Sequence, residues 1–349
     1  MDYRRVKATA EHLRRFLGNL LVANTLKREY LPPQVAVYHV TYDCNANCVW
    51  CSRRQDRREA TPNVSWSRIE QIFRSLRQVT PALYLTGGEP LLDPRIEDML
   101  KLARLMGFYP IAVNTNATLL EERSLVPELA DVTIASLHSM DPEKSASIFG
   151  IQALLAQKAI ENVYHSAKVA KSLGNQVMVN CVLAPDNAQD AQGVLGFCAK
   201  HGIPLAVTPA IHDHEPLIKG ADTLPSSAYA SFLDRVMSSK RFEPTSVESS
   251  LSYLRCIRYW ELFDCRPTSI LSVSPEGYVL NPCELKYPNL PKRLAWIDGD
   301  GSLPDLLPKL LDGDRCFSSC PKNCLKACYA EPALALEHPL QAASQYLRR

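Results

Sequence analysis

No stretch of this 349-residue chain approaches the roughly 20 consecutive apolar residues that a membrane-crossing helix needs. Its opening residues show neither the apolar run nor the small-residue cleavage site of a secretory signal. A cytoplasmic protein is therefore expected. Charge of one sign is also missing: the net charge is +2, so no overall field gathers nucleic acid. There is no P-loop, no dinucleotide-binding fingerprint and no serine nucleophile elbow. Internal repeats and low-complexity tracts are absent as well.

Cysteine, by contrast, is plentiful: there are twelve. In a reducing compartment, cysteine points to metal ligation or catalysis rather than to disulfides. Placement strengthens this reading. Cys44, Cys48 and Cys51 stand together, as do Cys316, Cys320, Cys324 and Cys328. Surplus core cysteines would scatter, as Cys181 and Cys198 do in a predicted strand and helix.

Leu13, Phe16, Leu17, Leu20 and Leu21 recur at helical spacing and predict an N-terminal amphipathic helix within residues 1–34. That segment holds seven Lys/Arg against three Asp/Glu, so it is expected either to pack on the body or to make peripheral contact with a membrane surface. From residue 35, strands and helices alternate. Strands are predicted at Val35–Thr41, Ala82–Thr86, Tyr109–Asn114, Val132–Leu137, Gln176–Leu183 and Leu205–Pro209. Ser67 with Glu70 has capping-box spacing for the helix after the first strand. Asp93–Pro94 and Gly107 bracket the next helix, and further helices are expected at about 121–129, 153–173 and 190–201. Six such units imply an α/β fold with a parallel sheet, better suited to an open (β/α)6 partial TIM barrel than to a closed one. The barrel is expected over 35–212 and a connecting helical segment over 213–255. A small cysteine-rich metal-cluster domain should follow over 256–330, and a C-terminal helix over 331–349.

The first cysteine group runs Cys44-Asn-Ala-Asn-Cys48-Val-Trp-Cys51, just past the first strand. Thiolates are the expected ligands of a 4Fe–4S cluster, and three of them leave one iron open for another ligand. Tetrahedral zinc would need a fourth protein donor. With Trp50 before the last cysteine, Gly87-Gly88-Glu89-Pro90 after the second strand, Asn116 after the third and Ser136-Leu137-His138 in the fourth, the sequence resembles the radical SAM superfamily over about residues 35–210. The resemblance implies reductive cleavage of S-adenosylmethionine at the cluster and hydrogen abstraction from a substrate by the resulting 5′-deoxyadenosyl radical. It also implies a reducing partner such as flavodoxin or ferredoxin, which Arg53, Arg54, Arg57 and Arg58 would suit.

By position in that family, Gly87, Gly88 and Glu89 would hold the methionyl ammonium, Asn116 and Ser136 the carboxylate or ribose, Asn180 the ribose or adenine, and Trp50 the adenine. Relatives often carry arginine where Phe149 precedes Gly150, and aspartate where His138 stands. His138 is a candidate for substrate contact or proton transfer. The C-terminal cysteines resemble the SPASM/Twitch extension, which holds one or two auxiliary 4Fe–4S clusters. Cys256, Cys265, Cys283 and Cys328 would serve one, and Cys316, Cys320 and Cys324 a second. A single cluster using Cys265 and Cys283 with two later cysteines is the other arrangement. The substrate is left open among a small metabolite, a peptide and a lipid.

Overall fold

The fold was obtained as a computed structural model. It describes residues 3–26, 30–51, 61–212, 215–217, 222, 224–284, 287, 289–298, 302–311 and 325–342. Its centre is a nine-stranded sheet in which β11 (Arg293–Trp296), β10 (Tyr278–Leu280) and β9 (Ile270–Val273) precede the six predicted strands in order, and apart from it β7 (Ile211–His212) pairs with β8 (Glu215–Pro216). The six predicted strands form, the second, third and fourth with ends shifted by one or two residues, as β1 (Val35–Thr41), β2 (Leu83–Gly87), β3 (Ile111–Thr115), β4 (Val132–Ser136), β5 (Gln176–Leu183) and β6 (Leu205–Pro209). Each pairs in parallel with the next. The sheet does not close, so the architecture is the open barrel expected from six units.

The helices form where the sequence signals place them, with some shifts. The helix α2 (Trp66–Val79) starts at Ser65 rather than Ser67, because the Ser65 side chain accepts from Arg68 N–H. Its buried face, Ile69, Ile72, Phe73 and Leu76, seats Phe73 edge-on against Tyr38 of β1 and Phe108. Next come α3 (Ile96–Leu105) and α4 (Val126–Leu129), the latter far shorter than the predicted 121–129. The helix α5 (Pro142–Phe149) was not foreseen. Asp141 caps it, Pro142 fills its first turn and Gly150 closes it in the left-handed conformation, all readable signals. The layer is completed by α6 (Ala153–Ser172) and α7 (Ala191–His201).

The C-terminal part departs from expectation. After α8 (Ala228–Phe242) and α9 (Leu251–Tyr259), β9 (Ile270–Val273) joins β1 in parallel, and β10 (Tyr278–Leu280) and β11 (Arg293–Trp296) extend the same sheet as a hairpin. Leu271, Val273, Val279 and Ile297, with Leu303 and Leu307 of α10 (Leu303–Leu311), belong to the barrel's own apolar core. This region is held by burial as well as by whatever its cysteines bind. Last comes α11 (Ala327–Glu337), which starts four residues before the expected helix.

The N-terminal helix α1 (Tyr3–Leu21) lies across the barrel end where the strands begin. Arg4 pairs with Asp131 at 2.7 Å, just before β4, and donates to the Phe108 carbonyl before β3. Arg5 donates to Gly174 and Asn175, just before β5. His12 lies 3.0 Å from the Tyr109 carbonyl, and Glu11 pairs with Arg77. The helix thus docks through a largely polar stripe, while Phe16 and Leu20 pack on the small apolar cluster of Ala23, Leu31 and Leu336.

Candidate active site

The opposite end of the barrel, where the parallel strands finish, gathers most of the residues the sequence singled out. The exit of β2 passes hard against the exit of β1. Gly88 N–H donates to Thr41 and Glu89 N–H to Asp43, both at 2.8 Å. A Cβ on Gly87 would stand 2.3 Å from the Thr41 carbonyl oxygen, and one on Gly88 would stand 2.0 Å from that of Asp43. Gly87 also adopts φ +139°, a conformation side chains resist. The two glycines are therefore what lets this segment run alongside the strand that leads into Cys44.

Glu89 turns inward and is 1% exposed. Its Oε1 accepts from the Thr115 hydroxyl at 2.8 Å and from Leu91 N–H at 3.1 Å, and its Oε2 accepts from Asn116 N–H at 2.7 Å. A carboxylate offers about four lone-pair sites, so these three donors leave room for another. No cation among the described residues pairs with it. Burial raises its pKa from 4.5 to about 7, against the pull of the Asn116, Thr115 and Leu91 hydrogen bonds. A buried carboxylate without a cation, at the mouth of a barrel, fits a ligand that brings an ammonium group.

The cysteine loop is tied down from two sides. Asn116 Nδ2 donates to Asn45 Oδ1 at 2.7 Å, Asn45 Nδ2 donates to Thr118 Oγ1 at 2.9 Å, and the Thr118 hydroxyl donates to Asn116 Oδ1 at 2.6 Å. This closed triangle locks the loop to the end of β3. Asn162 supports it from below by donating to the carbonyls of Ala117 and Thr118. On the other side, Asn47 N–H donates to the Phe149 carbonyl at 2.7 Å and Val49 N–H to that of Ile148 at 3.0 Å. Gly150, at φ +61°, lies so close that a Cβ would be 2.6 Å from the Asn47 carbonyl oxygen. The side chain of Asn116, expected on a ligand, is thus occupied in holding the loop. Asn45, Thr118 and Asn162 were not singled out from the sequence. Only the position of Asn45 between Cys44 and Cys48 hinted at its task.

His138 lies just past β4, buried, with its ring stacked on Phe149 at 4.9 Å and the Trp50 ring tilted against it at 5.9 Å. Its Nδ1 accepts from Val182 N–H at 3.1 Å, which assigns the ring hydrogen to Nε2. Burial lowers its pKa to about 4, opposed by a backbone contact at Leu137, so the imidazole is neutral around neutral pH. The two positions where the family resemblance leads one to expect aspartate and arginine therefore hold a neutral histidine and a phenylalanine in direct contact.

Ser136 and Asn180 are direct neighbours in the parallel register, and both are half-buried. They belong to a wider pattern. Along β2 to β6 the residues facing the helices are buried, such as Leu85, Val113, Ala135, Val179 and Val207. The alternate residues are half-buried and include Thr86, Asn114, Ser136, Asn180 and Thr208. Period-2 geometry puts these on the concave inner face of the open barrel. Thr86, Asn114 and Thr208 went unremarked in the sequence, although each is a polar residue alternating with apolar ones.

Cys44, Cys48 and Cys51 are half-buried on the single loop after β1, and none of the nine described cysteines is in a disulfide. Among the described residues, no three His, Cys, Asp or Glu side chains converge as donors around one metal ion do. A four-iron cube takes each thiolate on a different iron and so holds them further apart, which suits a three-cysteine loop. Of the C-terminal cysteines, Cys316, Cys320 and Cys324 lie outside the described residues, as do Arg53, Arg54, Arg57 and Arg58. Tyr329 donates through its hydroxyl to the Pro282 carbonyl at 2.6 Å, which ties the residue after Cys328 to the residue before Cys283. Cys265 belongs to a stretch fastened to the far end of α11, where Asp264 N–H donates to Glu337. Cys256 is buried in α9, and its thiol donates to the Glu261 carbonyl at 2.8 Å. Burial pushes that thiol up to about 12. Cys181 and Cys198 are core residues, both with pKa raised by burial.

Comparison with known proteins agrees with this geometry. Residues 38–198 match the profile of the Radical SAM superfamily. The chain is 26% identical over 266 residues to a probable GTP 3′,8-cyclase of Methanothermobacter thermautotrophicus, covering 72% of this chain and 84% of that protein. It is 25% identical over 240 residues to the 7,8-dihydro-6-hydroxymethylpterin dimethyltransferase of Methanocaldococcus jannaschii, covering 60% of this chain. The match spans only 46% of that relative's length. Among solved structures, Streptococcus suis SuiB bound to S-adenosylmethionine superposes with a TM-score of 0.62 at 17% identity, over 84% of this chain and 69% of that one. Native anSMEcpe with bound AdoMet gives a TM-score of 0.57 at 14% identity, over 91% of this chain and 100% of the other. These likenesses place the fold.

Proposed function

We propose, from the premise that this chain is a radical SAM superfamily enzyme, that it acts on a small polar substrate held against the inner face of its open barrel. The single observation that carries the reading is Glu89, a buried carboxylate with no cation partner among the described residues, at the strand exit that runs against the one leading into Cys44. Cys44, Cys48 and Cys51 would hold a 4Fe–4S cluster, which with bound S-adenosylmethionine and an external electron would supply the radical chemistry that starts hydrogen abstraction from the substrate.

The chain's own residues do the rest. Glu89 gives the ligand ammonium a charged partner, and the Thr115, Leu91 and Asn116 donors keep its carboxylate in place. Trp50 offers an aromatic surface beside the cysteine loop. The Asn45–Asn116–Thr118 triangle and the Phe149 carbonyl fix the loop. Ser136 and Asn180, with Asn114 and Thr208, present hydrogen-bonding groups to whatever enters the concave face. His138, neutral with its hydrogen on Nε2, serves as a donor rather than as a cation. The named substrates of two relatives, a hydroxymethylpterin and GTP, are both polar nitrogen heterocycles, which suits such a lining. Auxiliary-cluster ligation is assigned to Cys265, Cys283 and Cys328 with Cys316, Cys320 and Cys324. Cys256 is left out because its thiol is committed to the Glu261 carbonyl. A flavodoxin- or ferredoxin-like donor supplies the electron.

The test is anaerobic reconstitution with iron and sulfide, followed by reductant and S-adenosylmethionine. The wild type is expected to turn brown and release 5′-deoxyadenosine, whereas Cys48→Ala releases none. Equal release by that variant would refute the reading.

A further inference from the structure

The outer face of α1 is the largest feature that the barrel chemistry leaves unused. The helix runs beneath the strand starts, from β5 by way of Arg5 to the segment before β1, where Asn19 donates to the Pro32 carbonyl. Arg4, Ala8, Glu11, Arg15 and Asn19 form the stripe turned to the barrel, with Phe16 and Leu20 packed beside it on Ala23, Leu31 and Leu336. What faces outward is Val6, Lys7, Ala10, Leu13, Arg14, Leu17, Gly18 and Leu21. Leu13, Leu17 and Leu21 are 56%, 53% and 57% exposed. This outward set contains two cations and no carboxylate. Two more bare leucines mark the same end of the barrel. Leu105, at the end of α3, is 86% exposed, and Leu173, beside the Gly174 that receives Arg5, is 52% exposed.

We propose that α1 is a docking helix for an anionic lipid surface. Val6, Leu13, Leu17 and Leu21 enter the boundary between headgroups and acyl chains, and Lys7 and Arg14 lie on the headgroups. With the inward stripe and Phe16 and Leu20 spent on its own protein, the helix leaves Val6, Leu13, Leu17 and Leu21 as an unpartnered apolar row facing outward. Apolar residues flanked by cations are what an in-plane interfacial helix carries. Charge selects the occupant. Two copies meeting face to face would bring Lys7 and Arg14 against the same cations with no carboxylate to offset them. An anionic bilayer offers the complementary sign, worth about 1 kcal/mol per cation near the surface. The docking is peripheral, for no helix among the described residues is long and apolar enough to cross a membrane. It also sets an orientation. The strand ends that carry the Cys44–Cys51 loop point away from the bilayer, so substrate enters from the aqueous side.

The experiment is co-sedimentation of the full chain with phosphatidylcholine vesicles, with and without phosphatidylglycerol. Binding is expected to need phosphatidylglycerol and to weaken as salt is raised. Leu13→Glu with Leu17→Glu should bind at least about tenfold more weakly, and Lys7→Gln with Arg14→Gln roughly thirtyfold, the equivalent of about 2 kcal/mol. Circular dichroism melts should not move, because all four side chains are exposed. The proposal is overturned if the wild type stays in the supernatant with phosphatidylglycerol vesicles at low salt. It also fails if the leucine variant binds as the wild type does. A concentration-dependent dimer that the leucine variant disperses would make a second copy the occupant and would overturn it as well.

Discussion

Glu89→Gln tests the electrostatics of the site without any cofactor. The side chain is 1% exposed and its carboxyl has a pKa raised from 4.5 to about 7, chiefly by burial. Its folded-state pKa is above its unfolded value. Its contribution to stability is therefore fully present below about pH 4.5 and lost as pH rises through about 7. Linkage for those two values makes the apoprotein about 2 kcal/mol more stable at about pH 5.5 than at about pH 8 on account of this group alone. His138 works in the other direction. Its pKa is lowered to about 4, so its unfavourable contribution grows as pH falls below its unfolded value of 6.5. The total stability curve mixes the two, and the difference between wild type and E89Q isolates Glu89. A glutamine there cannot accept from all three donors, which costs about 1–3 kcal/mol at every pH. On top of that constant, the deficit of E89Q should widen by about 2 kcal/mol from about pH 8 to about pH 5.5, measured by urea unfolding. Parallel curves, within about 0.5 kcal/mol across that range, would refute the reasoning, because the carboxyl would then not be titrating as a buried, cation-free group. Calorimetry supplies a second readout. In the reconstituted protein near pH 7, binding of S-adenosylmethionine should release a proton, since an ammonium partner pulls the carboxyl pKa down.

Gly88→Ala should destabilise the protein by about 1–3 kcal/mol or more, because its Cβ would overlap the Asp43 carbonyl oxygen. Gly196→Ala in α7, where nothing lies within 4 Å, should instead stabilise by about 0.5–1 kcal/mol. Thermal melts of the pair check both, and equal shifts would show that the close approach at the β2 exit is not what requires glycine. Arg4→Ala leaves Asp131 buried at 4% side-chain exposure without its closest cation, while still accepting from Ile111 N–H. A loss of about 2–4 kcal/mol is expected, with faster proteolysis within residues 3–26. An unchanged melt would show that α1 is not held by its polar face.

The sequence by itself determined the six-unit barrel and the place of its cysteine loop. Alternating apolar strands fixed β1, β5 and β6 to the residue, and the C-x3-C-x2-C loop past β1 fell at the strand end where such folds work. Those are local signals, set by periodicity and spacing along the chain. Contacts between distant residues were not legible. The closed triangle of Asn45, Asn116 and Thr118 joins residues 71 and 73 positions apart, and nothing in their sequence neighbourhood announces it. The stacking of His138 on Phe149 likewise needs two segments to meet. The joining of β9 to β1 turned an expected metal-organised domain into an extension of the barrel sheet, because Leu271 and Val273 found burial that local sequence could not promise. Most telling is α1. Its helical periodicity was plain, but which face turns inward depends on partners. Asp131, Arg77 and the Tyr109 carbonyl, all remote in the chain, drew in the polar stripe and left Leu13, Leu17 and Leu21 outside. Amphipathicity specifies that a helix has two faces, and only the tertiary fold decides which one it keeps.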